Sequence, residues 1–88
     1  MNNERRKVIA EAMEQMNQAV ELLEAAKEAV QSAMDEEQEA FENMPEGLQE
    51  SERGETMQEN VGTMENVVDS LETQISEVND CIQSLDTM

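Results

Sequence analysis

Residues 57–85 read MQENVGTMENVVDSLETQISEVNDCIQSL, and the apolar side chains in this stretch recur in alternating steps of four and three: Met57, Val61, Met64, Val68, Leu71, Ile75, Val78, Ile82 and Leu85. With 3.6 residues per turn, that alternation puts all nine on one seam, and four such heptads in succession read as a coiled-coil-like helix. The seam decides the fold class, because composition alone points elsewhere. The chain has 88 residues with 22 acidic, 5 basic and no histidine, a formal net charge of −17. Without periodicity, such a balance describes a disordered acidic tail.

Moving toward the N-terminus, the segment from Glu4 to Asn43 holds neither proline nor glycine and carries three seven-residue rows. One is Ile9, Met16, Leu23, Val30, Glu37 and Met44; a second is Ala12, Ala19, Ala26, Ala33 and Ala40; a third is Met13, Val20, Lys27, Met34 and Phe41. Together they predict a helix with a broad apolar face, its alanine row permitting close backbone approach. Asn43-Met44-Pro45-Glu46-Gly47 interrupts it, since proline biases Met44 away from helical geometry and glycine accepts a reversal. Ser51 is a candidate N-cap for the next helix, and Glu52 and Glu55 suit the positive end of its dipole. Gly54 and Gly62 each cost that helix about 1 kcal/mol relative to alanine. The chain is therefore expected to form a single all-α domain over 1–88: helix about 4–43, turn about 44–51, helix about 52–86.

If the chain reverses near position 47, antiparallel partners have numbers adding to about 94 or 95, and the two ladders then match. Ile9 falls opposite Leu85, Met13 opposite Ile82, Met16 opposite Val78, Val20 opposite Ile75, Leu23 opposite Leu71, Val30 opposite Met64 and Met34 opposite Val61. Lys27 opposite Val68 and Glu37 opposite Met57 are the awkward pairs. The candidate hairpin or dimer core is Ile9, Met16, Leu23, Val30, Met64, Val68, Leu71, Ile75, Val78, Ile82 and Leu85. This register also predicts that Arg5, Arg6 and Lys7 lie beside Asp80 and Asp86, offsetting basic residues that oppose their own helix dipole.

A two-helix rod leaves part of the three-row face uncovered, and small cores rarely supply more than about 3 to 5 kcal/mol. A second copy would complete an antiparallel four-helix bundle, with Leu22, Ala25, Ala29, Val67 and Cys81 at the edges of the buried surface. A competing arrangement comes from helix two alone. Val61, Val68, Ile75 and Ile82 at one heptad position, with Met64, Leu71 and Leu85 at the other, is the preference of a parallel two-stranded coiled coil.

Reaction chemistry is sparse. There is no histidine and no glycine-rich phosphate loop, and the lone Cys81 lies beside Asp80 in an acidic setting that disfavours a nucleophilic thiolate. No catalytic residue, cofactor or metal site is expected. The run Asp35-Glu36-Glu37-Gln38-Glu39 lacks the spaced ligands and turn glycine of a calcium loop, and on a helix its carboxylates radiate around the axis. Met13, Met16, Met34, Met57 and Met64 suit either an adaptable binding groove or ordinary core packing, and they lie on the seams. A single cysteine excludes an internal disulfide framework, and the start Met1-Asn2-Asn3-Glu4-Arg5-Arg6-Lys7 leads into no apolar run resembling a signal peptide or membrane span. The expected location is the cytoplasm.

Charge is the feature with functional reach. Residues 8–88 carry 21 acids against Lys27 and Arg53, a local net of −19, which repels nucleic acid and anionic membrane and attracts basic protein surfaces. A duplex bears about 35 charges over about 60 Å. A dimer of this chain, carrying twice −17, approaches that density. One reading is a decoy that occupies a basic nucleic-acid-binding groove of a host protein. The plainer reading is that the charge keeps a methionine-rich bundle soluble.

The middle of the chain, from Asp35-Glu36-Glu37-Gln38-Glu39-Ala40-Phe41-Glu42-Asn43-Met44-Pro45-Glu46-Gly47-Leu48-Gln49 through Ser51-Glu52-Arg53-Gly54-Glu55, resembles a segment of small acidic helical proteins from phages and bacterial mobile elements. The similarity is clearest over about residues 35–59. It carries no catalytic motif; it implies a mobile-element origin, a bacterial host, and a class of small acidic proteins that often inhibit host defence or transcription machinery. The partner-binding candidates are then the acidic face and turn: Glu36, Glu39, Glu42, Glu46, Leu48, Glu50 and Glu52. Leu48 is an apolar side chain at a turn, suited to a partner contact or to capping the end of the bundle. The expected partner is a basic host protein, with the chain itself a homodimer that touches neither nucleic acid nor membrane. A structural coiled-coil adaptor is the alternative.

Overall fold

The computed structural model describes all 88 residues and is helical throughout, with no strand. Helix α1 spans Asn3–Glu42, a single helical turn α2 spans Glu46–Gln49, and α3 spans Glu52–Asp86. The two long helices pack antiparallel into a rod of 68 × 15 × 14 Å. At about 1.5 Å per residue, each long helix accounts for most of that length.

Both long helices begin on a side-chain cap. Asn2 Oδ1 accepts from the Arg5 amide at 2.8 Å, and Ser51 Oγ accepts from the Gly54 amide at 3.4 Å, each satisfying one of the amide donors a helix start leaves free. Glu52 and Glu55 sit in the first turn of α3, where a carboxylate meets the positive end of the dipole. Helix α1 stops where Pro45 takes over, its last turn closed by the Asn43 amide on Glu39 O at 3.0 Å.

The seam residues of α1 are sheltered: Ile9, Met13, Met16, Val20, Leu23, Lys27, Val30, Met34, Glu37 and Phe41, with Met44 just past its end continuing the steps of four and three. On α3 they are Met57, Val61, Met64, Val68, Leu71, Ile75, Val78, Ile82 and Leu85. Only Val20 and Val68 are buried apolar side chains, at 8% and 6% exposure; the other candidate core residues are half-sheltered. A two-helix seam closes each apolar side chain from one direction and leaves its outer edge to solvent, which is why the core is a line rather than a volume.

The broad three-row face of α1 is only partly covered, as its width against one partner helix implies: Ala19, Ala26, Ala33 and Ala40 are exposed and Ala12 alone of that row is sheltered. Two other readings need revision. Helix α3 spends its seam on α1 of its own chain rather than on a copy of itself. The basic cluster does not pair with Asp80 or Asp86, because the one ion pair in the molecule is Lys27 with Glu72 at 3.7 Å. Arg6 borders the same depression as Asp86, yet its guanidinium Nε donates to the Met1 carbonyl at 3.4 Å. Long basic side chains in open water gain little from a fixed pair and keep their rotamer freedom.

Candidate functional site

The rod has two unlike flanks, and the register determines which residues share each. On one flank Gln58 Nε2 donates to Gln38 Oε1 at 3.3 Å, and Ala10, Asn17 and Glu21 share a depression with Asp86 near the termini. The row Glu14, Glu21, Glu28, Asp35 and Glu42 borders this flank on α1, and Glu65, Glu72 and Asp86 border it on α3. On the other flank, Ala33 and Glu36 line a depression together with Asn60 and Thr63. Heptad spacing extends that juxtaposition along the rod. The α1 rows through Ala33 and Glu36 lie beside the α3 rows through Asn60 and Thr63, the latter including Val67, Ser70, Gln74 and Cys81.

The partition of charge between these flanks is steep. Of the 22 acidic residues, only Glu36 and Glu77 fall on the four rows of the second flank, where Arg5 and Arg53 also lie. That flank is formally neutral on a chain of net charge −17. The remaining carboxylates crowd the first flank and the outer surface. All but Glu37 are exposed, and only Glu72 meets a cation. The rod is therefore acidic over three sides and neutral in net charge along the fourth.

The seven partner-binding candidates cluster at the turn end. Glu36, Glu39 and Glu42 lie in the last turns of α1, Glu46 opens α2, Leu48 lies within it, Glu50 follows it and Glu52 opens α3. All seven are exposed, Leu48 at 50%. They share an end without sharing a face. Each three-residue step from Glu36 to Glu39 to Glu42 falls about 60° short of a full turn, so these carboxylates wind from the neutral flank toward the acidic one. Glu42 also accepts from Gln38 Nε2 at 3.0 Å.

Several structural residues of this end were not among the candidates. Gln49 reaches back to the end of α1, its Nε2 within 3.1 Å of Phe41 O, 3.2 Å of Met44 O and 3.4 Å of Glu42 O. Phe41 O and Glu42 O belong to the last turn of α1, where carbonyls lack intrahelical partners, and Phe41 O accepts from the Met44 amide at 3.1 Å as well. Gly54 is buried, and a Cβ built there would stand 2.1 Å from Gln49 O, so the start of α3 touches the backbone of the turn. Ser51 ties the same corner, its amide donating to Leu48 O at 3.1 Å and its hydroxyl to that same oxygen. The two awkward seam positions are resolved by polar contacts: Lys27 turns to Glu72, and Glu37 accepts from Asn60 Nδ2 at 3.3 Å.

The surface depressions all open to solvent, and no three carboxylate or thiol groups converge to hold a metal ion. Cys81 is exposed and forms no disulfide within the chain. No helix is long and apolar enough to cross a membrane. Comparisons with protein-family models, with curated proteins and with solved structures returned no match.

Proposed function

We propose that this chain is an acidic protein-binding module whose homodimer occupies a basic, nucleic-acid-binding surface of a host protein, inhibiting it as a charge mimic of nucleic acid. In this reading it comes from a phage or other mobile element, acts against defence or related machinery in the cytoplasm of a bacterial host, and turns over no substrate. The observation that carries the proposal is the array of unpaired carboxylates. Twenty-one of 22 have no cation partner, on a rod 68 Å long. One chain presents about one net charge per 4 Å of length and two side by side about one per 2 Å, against about one per 1.7 Å for duplex DNA. Fixed carboxylates at that density suit a groove built for phosphates.

The test is capture from bacterial lysate on the tagged protein, eluted by a salt gradient with and without competing duplex, and identified by mass spectrometry. The proposal expects a DNA- or RNA-binding protein released by salt and displaced by duplex. Replacing Glu36, Glu39 and Glu42 together by glutamine should weaken that capture while helicity is unchanged; retained capture counts against the mimic. The second reading, a structural adaptor, draws on Val8, Leu22 and Val67, apolar side chains left exposed along the helices. An adaptor would bind through such faces with little response to salt or duplex.

A further inference from the structure

The exposed large apolar side chains of the two long helices are not scattered. Val8 at 62%, Leu22 at 73% and Val67 at 41% exposure all lie on the neutral flank, and the others, Met1, Leu48 and Met88, lie at the ends of the rod. The flank's remaining surface is largely alanine and uncharged polar residues, small enough for another helix to approach closely. Leu22 stands at the midpoint of α1, and Val67 stands two residues from the midpoint of α3. A patch at mid-length is where a two-fold axis perpendicular to the rod would bring a surface onto itself.

We propose that a second copy of this chain packs antiparallel on the neutral flank, α1 against α1 and α3 against α3, with the two Leu22 side chains meeting near the two-fold axis. Charge selects both the face and the direction. Any other side would press rows of unpaired carboxylates together, whereas this flank carries Glu36 and Glu77 against Arg5 and Arg53. Residues 35–59 at the turn end hold ten acids and one arginine, while the opposite end holds Arg5, Arg6 and Lys7. That opposite end also carries Glu4, Glu11, Glu77, Asp80 and Asp86, so it is only weakly acidic, and antiparallel packing lays this weakly charged end of each copy over the strongly acidic end of the other. Parallel packing would place the two acidic ends side by side. The area is adequate as well: a side 68 Å long and about 15 Å wide compares with roughly 800 Å² per partner in a standard stable interface. With the flank covered in this way, the carboxylate sides of both copies face outward, and of the partner-binding candidates Glu36 alone borders the interface between copies.

This inference rests on the dimeric form invoked above and not on the identity of the target, so it is tested on the purified chain alone. Sedimentation equilibrium should find twice the chain mass at micromolar concentrations, with association strengthening as salt rises from about 0.05 to about 0.5 M. Leu22→Glu, which alters a side chain outside the hairpin seam, should weaken dimerisation at least tenfold with unchanged helicity. The charge-matched Gln18→Glu, on the acidic side, should leave it within about twofold. Ala19→Cys with Ala26→Cys, in a Cys81→Ser background, should form interchain disulfides under mild oxidation, because antiparallel α1 helices centred near Leu22 oppose position 19 to position 26. A monomer at all accessible concentrations, a dimer indifferent to Leu22→Glu, or a dimer that the cysteine pair does not trap would overturn the proposal. None of these outcomes depends on whether a host protein is captured.

Discussion

The glycines of α3 separate two physical roles that composition cannot distinguish. Gly54 and Gly62 both sit inside a helix, where glycine costs about 1 kcal/mol relative to alanine. At Gly62 an added Cβ meets nothing within 4 Å, whereas at Gly54 it would meet the carbonyl oxygen, carbonyl carbon and Cα of Gln49 at 2.1, 2.6 and 2.8 Å. Those neighbours are backbone and cannot swing aside. Gly62→Ala should therefore stabilise the protein by roughly 0.5–1 kcal/mol. Gly54→Ala gains the same propensity but must displace the turn, and should destabilise by a net of about 1–3 kcal/mol, as overpacking does. Urea denaturation of the two variants beside the parent checks both signs. If Gly54→Ala is as stabilising as Gly62→Ala, the turn yields freely and the close approach has no energetic meaning.

At the scale of elements, the turn is held by one side chain. Gln49 caps the end of α1 from the far side of Pro45, so its amide couples the helix terminus to the entry of α3. Gln49→Glu keeps the shape, removes the donor and sets a carboxylate against carbonyl oxygens. A loss of roughly 1–3 kcal/mol is expected, the cost of leaving partly buried acceptors unmet, and thermal unfolding followed by circular dichroism measures it. This corner is also where sequence reading falls short. The seam of α3 is legible because step lengths of four and three depend on local geometry alone, and Pro45 marks the break for the same reason. The reach of Gln49 and the close approach at Gly54 depend on how the turn folds back over α3, which no spacing encodes. For the candidate site, the abundance of carboxylates is plain from composition. Their exclusion from one flank emerges only once Ala33 lies beside Asn60 and the rows of the two helices can be read as one surface.

For the whole molecule, the balance lies between a thin core and a large self-repulsion. Val20 and Val68 are the buried apolar side chains, and one exposed ion pair relieves a net charge of −17. Along α1 the acidic row from Glu14 to Glu42 repeats every seven residues, a separation of about 10.5 Å on a helix. That spacing is close to the Debye length of about 10 Å at 0.1 M salt. Each such pair costs about 0.4 kcal/mol in unscreened water, and the folded rod contains many, whereas an unfolded chain can spread the same charges up to about 23 Å apart. Folding therefore concentrates repulsion that salt removes. Stability should rise by roughly 1–3 kcal/mol as sodium chloride increases from about 0.01 to about 0.5 M, with most of the gain below 0.2 M where the screening length passes through the spacing of the row. Denaturation midpoints in urea, which leaves ionic strength unchanged, report this directly. A gain that continued linearly past 0.5 M would belong to general salting-out of apolar surface instead. A flat profile would mean that the unfolded chain retains the same charge spacing as the rod.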